Sequence, residues 1–202
     1  MYKTLLKTID RARTLSIPVE RKQVLQPLID YVQDKLNQGL VANLNFICTH
    51  NSRRSQFSQI WAQTAAAYYN IPIHSYSGGV EVTAFNERAV SSLQRSGFKI
   101  TKSGSGNPKY IVNHSEDDES IIAFSKLFDD PANDGKPFVA VMTCSDADEN
   151  CPFIPGTEQR LPVRYEDPKA FDDTPKETDM YDMRSLQIAS ELLYVFSQIK
   201  SK

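Results

Sequence analysis

The chain has 202 residues, 24% of them charged and 40% hydrophobic, an ordinary balance for a globular protein and enough for one sizeable core. A formal net charge of -2 gives no electrostatic reason to expect a nucleic acid or an anionic membrane as partner. No apolar run approaches the roughly 20 residues that span a bilayer, and the opening MYKTLLKTIDRARTLSIPVE lacks the apolar core of a secretory signal, so a cytoplasmic location is expected.

Residues 1–40 are expected to form two helices separated by Pro18. Leu5, Ile9 and Leu15 lie near helical spacing in the first, and Val24, Leu28, Val32 and Leu36 recur every four residues in the second. Pro27 raises the prospect of a kink or a later start to that helix. VANLNFICTH reads as a strand and RSQFSQIWAQTAAAYY as a helix with Phe57, Ile60, Trp61, Thr64, Ala65 and Tyr68 on one stripe. IPIHSYSGG is a second strand, and AFNERAVSSLQRSG a helix stopped by Gly97. The polar stretch at about 101–137 reads as a loop-rich insertion with short strands near 110–112 and 121–124, and GSGN at 104–107 as a turn. KPFVAVMTC is a buried strand ending in Cys144, RLPVRYEDP a further strand or loop, and MYDMRSLQIASELLYVFSQIK a final amphipathic helix. Strands alternating with helices predict an α/β fold with a central parallel four-stranded sheet flanked by helices. The expected organisation is an N-terminal helical extension (1–40) packing on a main domain (41–202). Ligands of such sheets collect beyond the carboxyl ends of the strands, where Cys48 and Cys144 both fall.

Three cysteines, Cys48, Cys144 and Cys151, are too few and odd in number for a disulfide framework, and His50, His74 and His114 have no metal-ligand spacing. Chemistry is therefore sought at the thiols. Cys48 ends an apolar strand, and Arg54 follows six positions later at a helix start. The free N–H groups and positive end of that helix would favour a thiolate. The amides of Thr49, His50, Asn51, Ser52, Arg53 and Arg54 can curl into a nest for a tetrahedral oxyanion, with the Arg54 guanidinium as a planar fork. Ser55 can hydrogen-bond the sulfur. The layout suits in-line attack by sulfur on phosphorus or arsenic. No G-x-x-x-x-G-K-[ST] is present. In TCSDADENCP, Cys144 and Cys151 stand seven apart. On a helix their Cα atoms would be about 10 Å apart, too far for a disulfide unless the segment unwinds. Asp146, Asp148 and Glu149 read as helix-start charges.

These stretches resemble the thioredoxin-coupled arsenate reductase family, built on the low-molecular-weight tyrosine phosphatase fold. CTHNSRRSQ is similar to its oxyanion loop, YSGGVEV and FNERAV to its next strand and helix, TCSDADENCP to its redox segment, and EDP at 166–168 to its acid loop. Residues 1–40 and 101–137 fall outside the resemblance. It implies that Cys48 attacks arsenate while Arg54 and the loop amides hold the oxyanion, and that Asp167 acts as general acid. It further implies that Cys144 attacks Cys48, that Cys151 attacks Cys144, and that thioredoxin reduces the resulting disulfide. No tightly bound cofactor is implied. Asn51 and Ser77 match positions that brace the loop and in some relatives help hold potassium, but Gln59 stands where a carboxylate would be expected.

The chain departs from the family at His50, where glycine is usual, and at Arg53, which adds charge near the oxyanion or serves as a solvated helix-start residue. Two other readings share the same parts. A phosphatase would need only Cys48, Arg54 and Asp167, although Lys169 and Ala170 stand where phosphotyrosine-specific relatives carry aromatic residues. A non-catalytic oxyanion-binding module would bind phosphate without turnover.

Overall fold

In a computed structural model, which describes residues 1–150 and 153–200, the apolar run before Cys48 forms β1 (Ala42–Cys48) at the centre of a parallel sheet. One neighbour is β2 (Ile73–Gly79) and the other β6 (Phe138–Met142), with β7 (Thr157–Pro162) beyond it, giving the order β2-β1-β6-β7. Phe46 lies opposite Ser77 and Val141, which sets the ends of β1 and β6 side by side. Every residue of β6 is buried, as a strand covered on both faces should be. The expected α/β fold with a central parallel four-stranded sheet flanked by helices is the one observed.

Helix α3 (Arg54–Tyr68) lies between this sheet and the C-terminal α6 (Glu177–Ser197). The expected stripe is buried from Phe57 to Ala65, while Tyr68 is half-exposed. Gln56, Ser58 and Gln59 are buried too, because the helix is covered on more than one side. Trp61 anchors the layer, with its indole N–H donating to Ser185 Oγ at 2.9 Å and its ring edge-on to Phe98. Helix α4 (Glu87–Ser96) starts on the Asn86 side chain, which accepts from the amides of Arg88 and Ala89, and stops at Gly97 with φ 107°.

The two N-terminal helices form as expected, α1 over Lys3–Arg13 and α2 over Val19–Asn37, and both pack on α6. Their buried faces differ from the expected rows. Leu15 lies beyond α1 and is exposed. In α2 the buried face is Leu25, Leu28, Ile29 and Val32, while Val24 is exposed and Leu36 only half-buried. Residues spaced strictly by four drift around a helix of 3.6 residues per turn, so mixed three-and-four spacing is needed to hold one face. The helix runs through Pro27 from Val19, with no later start.

The segment read as a loop-rich insertion is more ordered than expected. It holds most of an antiparallel sheet of β3 (Lys99–Ser103), β4 (Lys109–Asn113) and β5 (Ile121–Ala123), with GSGN as the turn between the first two. β3 was missed because its side chains are almost all exposed, so it carries no apolar alternation. A short helix α5 (Ser145–Asn150) follows Cys144.

Candidate active site

Backbone polarity builds the loop after Cys48. The carbonyl of Thr49 accepts from Glu81 N, that of Ser52 from Asn86 N, and that of Asn51 from Gln56 Nε2. The carbonyl of His50 accepts from the Ser125 and Thr83 hydroxyls. With the carbonyls bonded to surrounding segments, the amides of residues 49–54 make no hydrogen bond to protein among the described residues. They form a nest suited to an anion, at the start of α3. Gly79 allows the end of β2 to approach, since a Cβ there would stand 2.8 Å from both Asn51 N and Thr49 O.

The sulfur of Cys48 is buried and 3.0 Å from Ser55 Oγ. Asn51 Nδ2 donates to that same oxygen at 2.8 Å, which leaves the Ser55 proton for the sulfur. Arg54 spans from the loop to the acid loop. Its guanidinium donates to Asp167 Oδ2 at 2.7 Å and to the Tyr165 carbonyl at 3.1 Å, while its buried Nε has no partner among the described residues. Asp167 caps a short 3₁₀ turn, Pro168–Phe171, through Lys169 N. Tyr165 N donates to the Thr143 carbonyl, tying the acid loop to the end of β6.

Cys144 is buried at the end of β6, in the same small apolar cluster as Cys48. Its sulfur is 3.5 Å from Thr49 Oγ1, on the residue that follows Cys48, and accepts from Ala147 N at 3.4 Å. The structure thus brings together Cys48, the loop, Arg54, Ser55, Asp167 and Cys144. Cys151 lies outside the described residues.

Arg53 departs from one of the expectations made for it. Its guanidinium is mostly buried, donates to Tyr181 Oη at 2.8 Å and pairs with Asp172 at 3.6 Å, so it is not a solvated helix-start residue. Burial and the Asp172 acceptor hold the Tyr181 hydroxyl well above its ordinary pKa. His50 pairs with Glu81 at 3.3 Å, and the positive φ of the loop falls on Asn51 instead, at 46°, which asparagine tolerates. Asp146 and Asp148 do lie in the first turn of α5, but both have specific partners: Thr49 for the first, Arg160 and Arg164 for the second.

The oxygens raised as potassium ligands are engaged by the protein. Asn51 Oδ1 accepts from Gln56 Nε2 and Lys126 N, and Ser77 Oγ donates to Gln59 Oε1 at 2.6 Å. With an amide at Gln59 and no carboxylate in the set, these residues do not fit a potassium ion. Among the described residues no group of three or more His, Cys, Asp or Glu is placed to hold a metal, and no helix is long and apolar enough to cross a membrane.

The residues that sequence reasoning missed come from the segment after β5. Ser125 braces the His50 carbonyl, and the backbone of Lys126 reaches both Asn51 Oδ1 and Gly79 N. No local pattern marks them, because their role comes from contacts across 75 positions of sequence.

The fold and site define a cysteine-centred oxyanion site on the low-molecular-weight tyrosine phosphatase architecture. Such phosphatases from Vibrio cholerae O395 (TM-score 0.52, 13% identity, 77% of this chain and 94% of that one) and T. tengcongensis (TM-score 0.50, 14% identity, 78% and 99%) share the fold. No family model matches the chain. The arsenate reductase of Staphylococcus aureus strain Newman is 33% identical over 126 residues, 61% of this chain and 76% of that protein. Arsenate reductase 1 of Staphylococcus saprophyticus is 31% identical over the same length. The chain belongs to the arsenate reductase family.

Proposed function

We propose that this protein reduces arsenate to arsenite through a three-cysteine relay regenerated by thioredoxin. Cys48 attacks the arsenic, with the loop amides and Arg54 holding the oxyanion, and Asp167 supplies a proton to the departing oxygen, which leaves as water. Cys144 then attacks the Cys48 sulfur. The sulfur–arsenic bond breaks, its electron pair goes to arsenic, and arsenite leaves behind a Cys48–Cys144 disulfide. Overall, arsenate and two thiols give arsenite, a disulfide and water. Cys151 takes over the disulfide from Cys48, and thioredoxin reduces the Cys144–Cys151 pair by exchange.

The observation that carries this reading is the second buried thiol, Cys144, set against Thr49 beside the nucleophile's loop. Phosphoester hydrolysis needs no such thiol, and the curated relatives are arsenate reductases. Thioredoxin as the reductant rests on the resemblance of TCSDADENCP to the redox segment of the thioredoxin-coupled family.

The test is NADPH oxidation by the reduced protein with arsenate, with and without a thioredoxin regenerating system. The expected result is thioredoxin-dependent turnover, abolished in Cys48→Ser, Cys144→Ser and Cys151→Ser. Absence of arsenate turnover, with aryl phosphate hydrolysis that survives Cys144→Ser, would replace this reading with a phosphatase.

A further inference from the structure

We infer that Arg21, on the N-terminal helix α2, is a positioning residue that holds the acid loop so that Asp167 stands where its proton is needed. This role rests on the arsenate reading above and extends it to a residue outside the family resemblance.

Residues 163–167 form neither helix nor strand, so individual contacts must fix them. Tyr165 makes most of those contacts. Its amide donates to the Thr143 carbonyl at 3.0 Å, and its carbonyl accepts from Arg54 at 3.1 Å. Its buried ring lies beneath the Arg21 guanidinium, 4.7 Å from ring centre to carbon. The same guanidinium donates through Nε to both oxygens of Glu191 at 2.9 Å. Burial, and then the Glu191 carboxylate, hold the Tyr165 hydroxyl well above its ordinary pKa, so it stays a neutral donor beside that carboxylate. Arg21 thus joins the Tyr165 ring to Glu191 of α6, while the Tyr165 backbone holds Arg54 and the end of β6.

Asp167 follows two residues later, within about 7 Å of chain, so a displaced Tyr165 displaces it. Its carboxylate lies 2.7 Å from Arg54, the guanidinium that also meets the Tyr165 carbonyl. A reacting group misplaced by about 1 Å can lose a hundredfold in rate, so the seat of Tyr165 bears directly on proton delivery.

Charge makes Arg21 hard to replace. Around Tyr165, the guanidiniums of Arg21, Arg54 and Arg184 face the carboxylates of Glu166, Asp167 and Glu191. Without Arg21, the buried Glu191 keeps Gln187 Nε2 at 3.0 Å, the Tyr165 hydroxyl and the field of Arg184, but no ion pair of its own. A buried carboxylate left short of positive charge favours rearrangement of its surroundings, and the irregular acid loop is the segment free to rearrange.

The experiment uses the full chain with Cys151→Ser, which halts the relay at the first disulfide. Formation of the Cys48–Cys144 disulfide after mixing with arsenate is followed by quenched-flow mass spectrometry. Arg21→Met is expected to slow the rate at saturating arsenate at least about fivefold, with the half-maximal arsenate concentration unchanged. In an Asp167→Asn chain, Arg21→Met is expected to add no further loss, because its effect passes through Asp167. The same cycle is run with Arg21→Met combined with Glu191→Gln, which removes the carboxylate's charge along with the guanidinium's and keeps the fold where the single substitution does not. A parent-like rate in Arg21→Met, an equal loss with and without Asp167, or a rate that recovers with stability in the combined variant overturns the inference. So does a raised half-maximal arsenate concentration at an unchanged saturated rate.

Hydrogen exchange of residues 163–171 in phosphate needs no turnover. Arg21→Met should speed it while β1 and β6 stay unchanged. If the acid loop loosens in this way while arsenate produces no disulfide even in the parent chain, the arsenate reading fails and the hold of Arg21 on the loop stands. If arsenate produces the disulfide and neither rate nor exchange responds to Arg21, the positioning role falls and the arsenate reading stands.

Discussion

Lys126 is a lysine almost wholly withdrawn from water, and its ammonium has no hydrogen-bond partner among the described residues. The Phe124 ring lies 4.8 Å from it and Asp130 offers partial electrostatic relief, yet burial pushes its pKa down from 10.5 to about 8. That gap corresponds to roughly 3 kcal/mol. The unfolded chain binds the proton more tightly than the folded one, so stability should rise with pH between about 8 and 10.5, and the cost is fully present below about 8. Lys126→Met keeps the apolar stem and removes the charge. It is expected to stabilise the protein by about 1–3 kcal/mol at pH 7 and to flatten the alkaline rise. Urea midpoints of both proteins at pH 7 and 9.5 check this; a variant less stable at pH 7 would show that the ammonium is held by something stronger than Phe124 and Asp130. The backbone of this residue meets Asn51 and Gly79, so the substitution leaves the contacts that brace the loop in place.

At the scale of elements, Gly97 does two things at once. It ends α4 in a left-handed conformation, and it lets the start of α1 lie directly on its backbone, where a Cβ would meet Leu5 N at 2.4 Å and Leu5 Cα at 2.8 Å. Gly97→Ala is therefore expected to cost at least about 2 kcal/mol, more than its positive φ alone would cost, with the excess disappearing when residues 1–13 are absent. Hydrogen exchange should show the loss concentrated in α1. The sequence legibly marked the first of these roles and was silent on the second. The same division holds across the fold. The strand before Cys48, the cap at Asn86 and the apolar run of β6 are local patterns and could be read directly. The buried faces of α2, the solvent-facing strand β3 and the bracing of His50 by Ser125 depend on what lies across the fold, and no window of the sequence contains that. At the site, residue type, spacing and the strand ends sufficed to find Cys48, Arg54, Ser55 and Cys144, and resemblance added Asp167. The destination of Arg53 and the partner of Asp146 needed the placement of α6 and α5.

For the molecule as a whole, the remaining question is whether residues 1–40 are an attachment or part of the core. Leu5, Ile9, Leu25, Leu28, Ile29 and Val32 belong to one buried cluster with Leu44 of β1, Trp61 of α3 and Leu192 of α6. Burying a side chain of this size contributes roughly 1.5–3 kcal/mol, so six of them together are comparable to the whole stability of a domain, about 5–15 kcal/mol. Polar contacts point the same way. Arg21 makes a two-point hydrogen bond to Glu191 at 2.9 Å, and with Glu191 only 3% exposed, removing α2 would take away the guanidinium that balances its charge. Tyr31 and Lys35 hold Glu158 on the edge strand β7, whose far end leads to the acid loop. A chain beginning at residue 41 is therefore expected to lose its cooperative thermal transition, and to lose oxyanion binding as a consequence. Circular dichroism and phosphate titration of the truncated chain test the two separately. A folded truncation that still binds phosphate would make the two helices a removable cover and shift the stabilising role to the sheet and α3. An unfolded one would mean that the segment outside the family resemblance is a structural requirement for the site inside it.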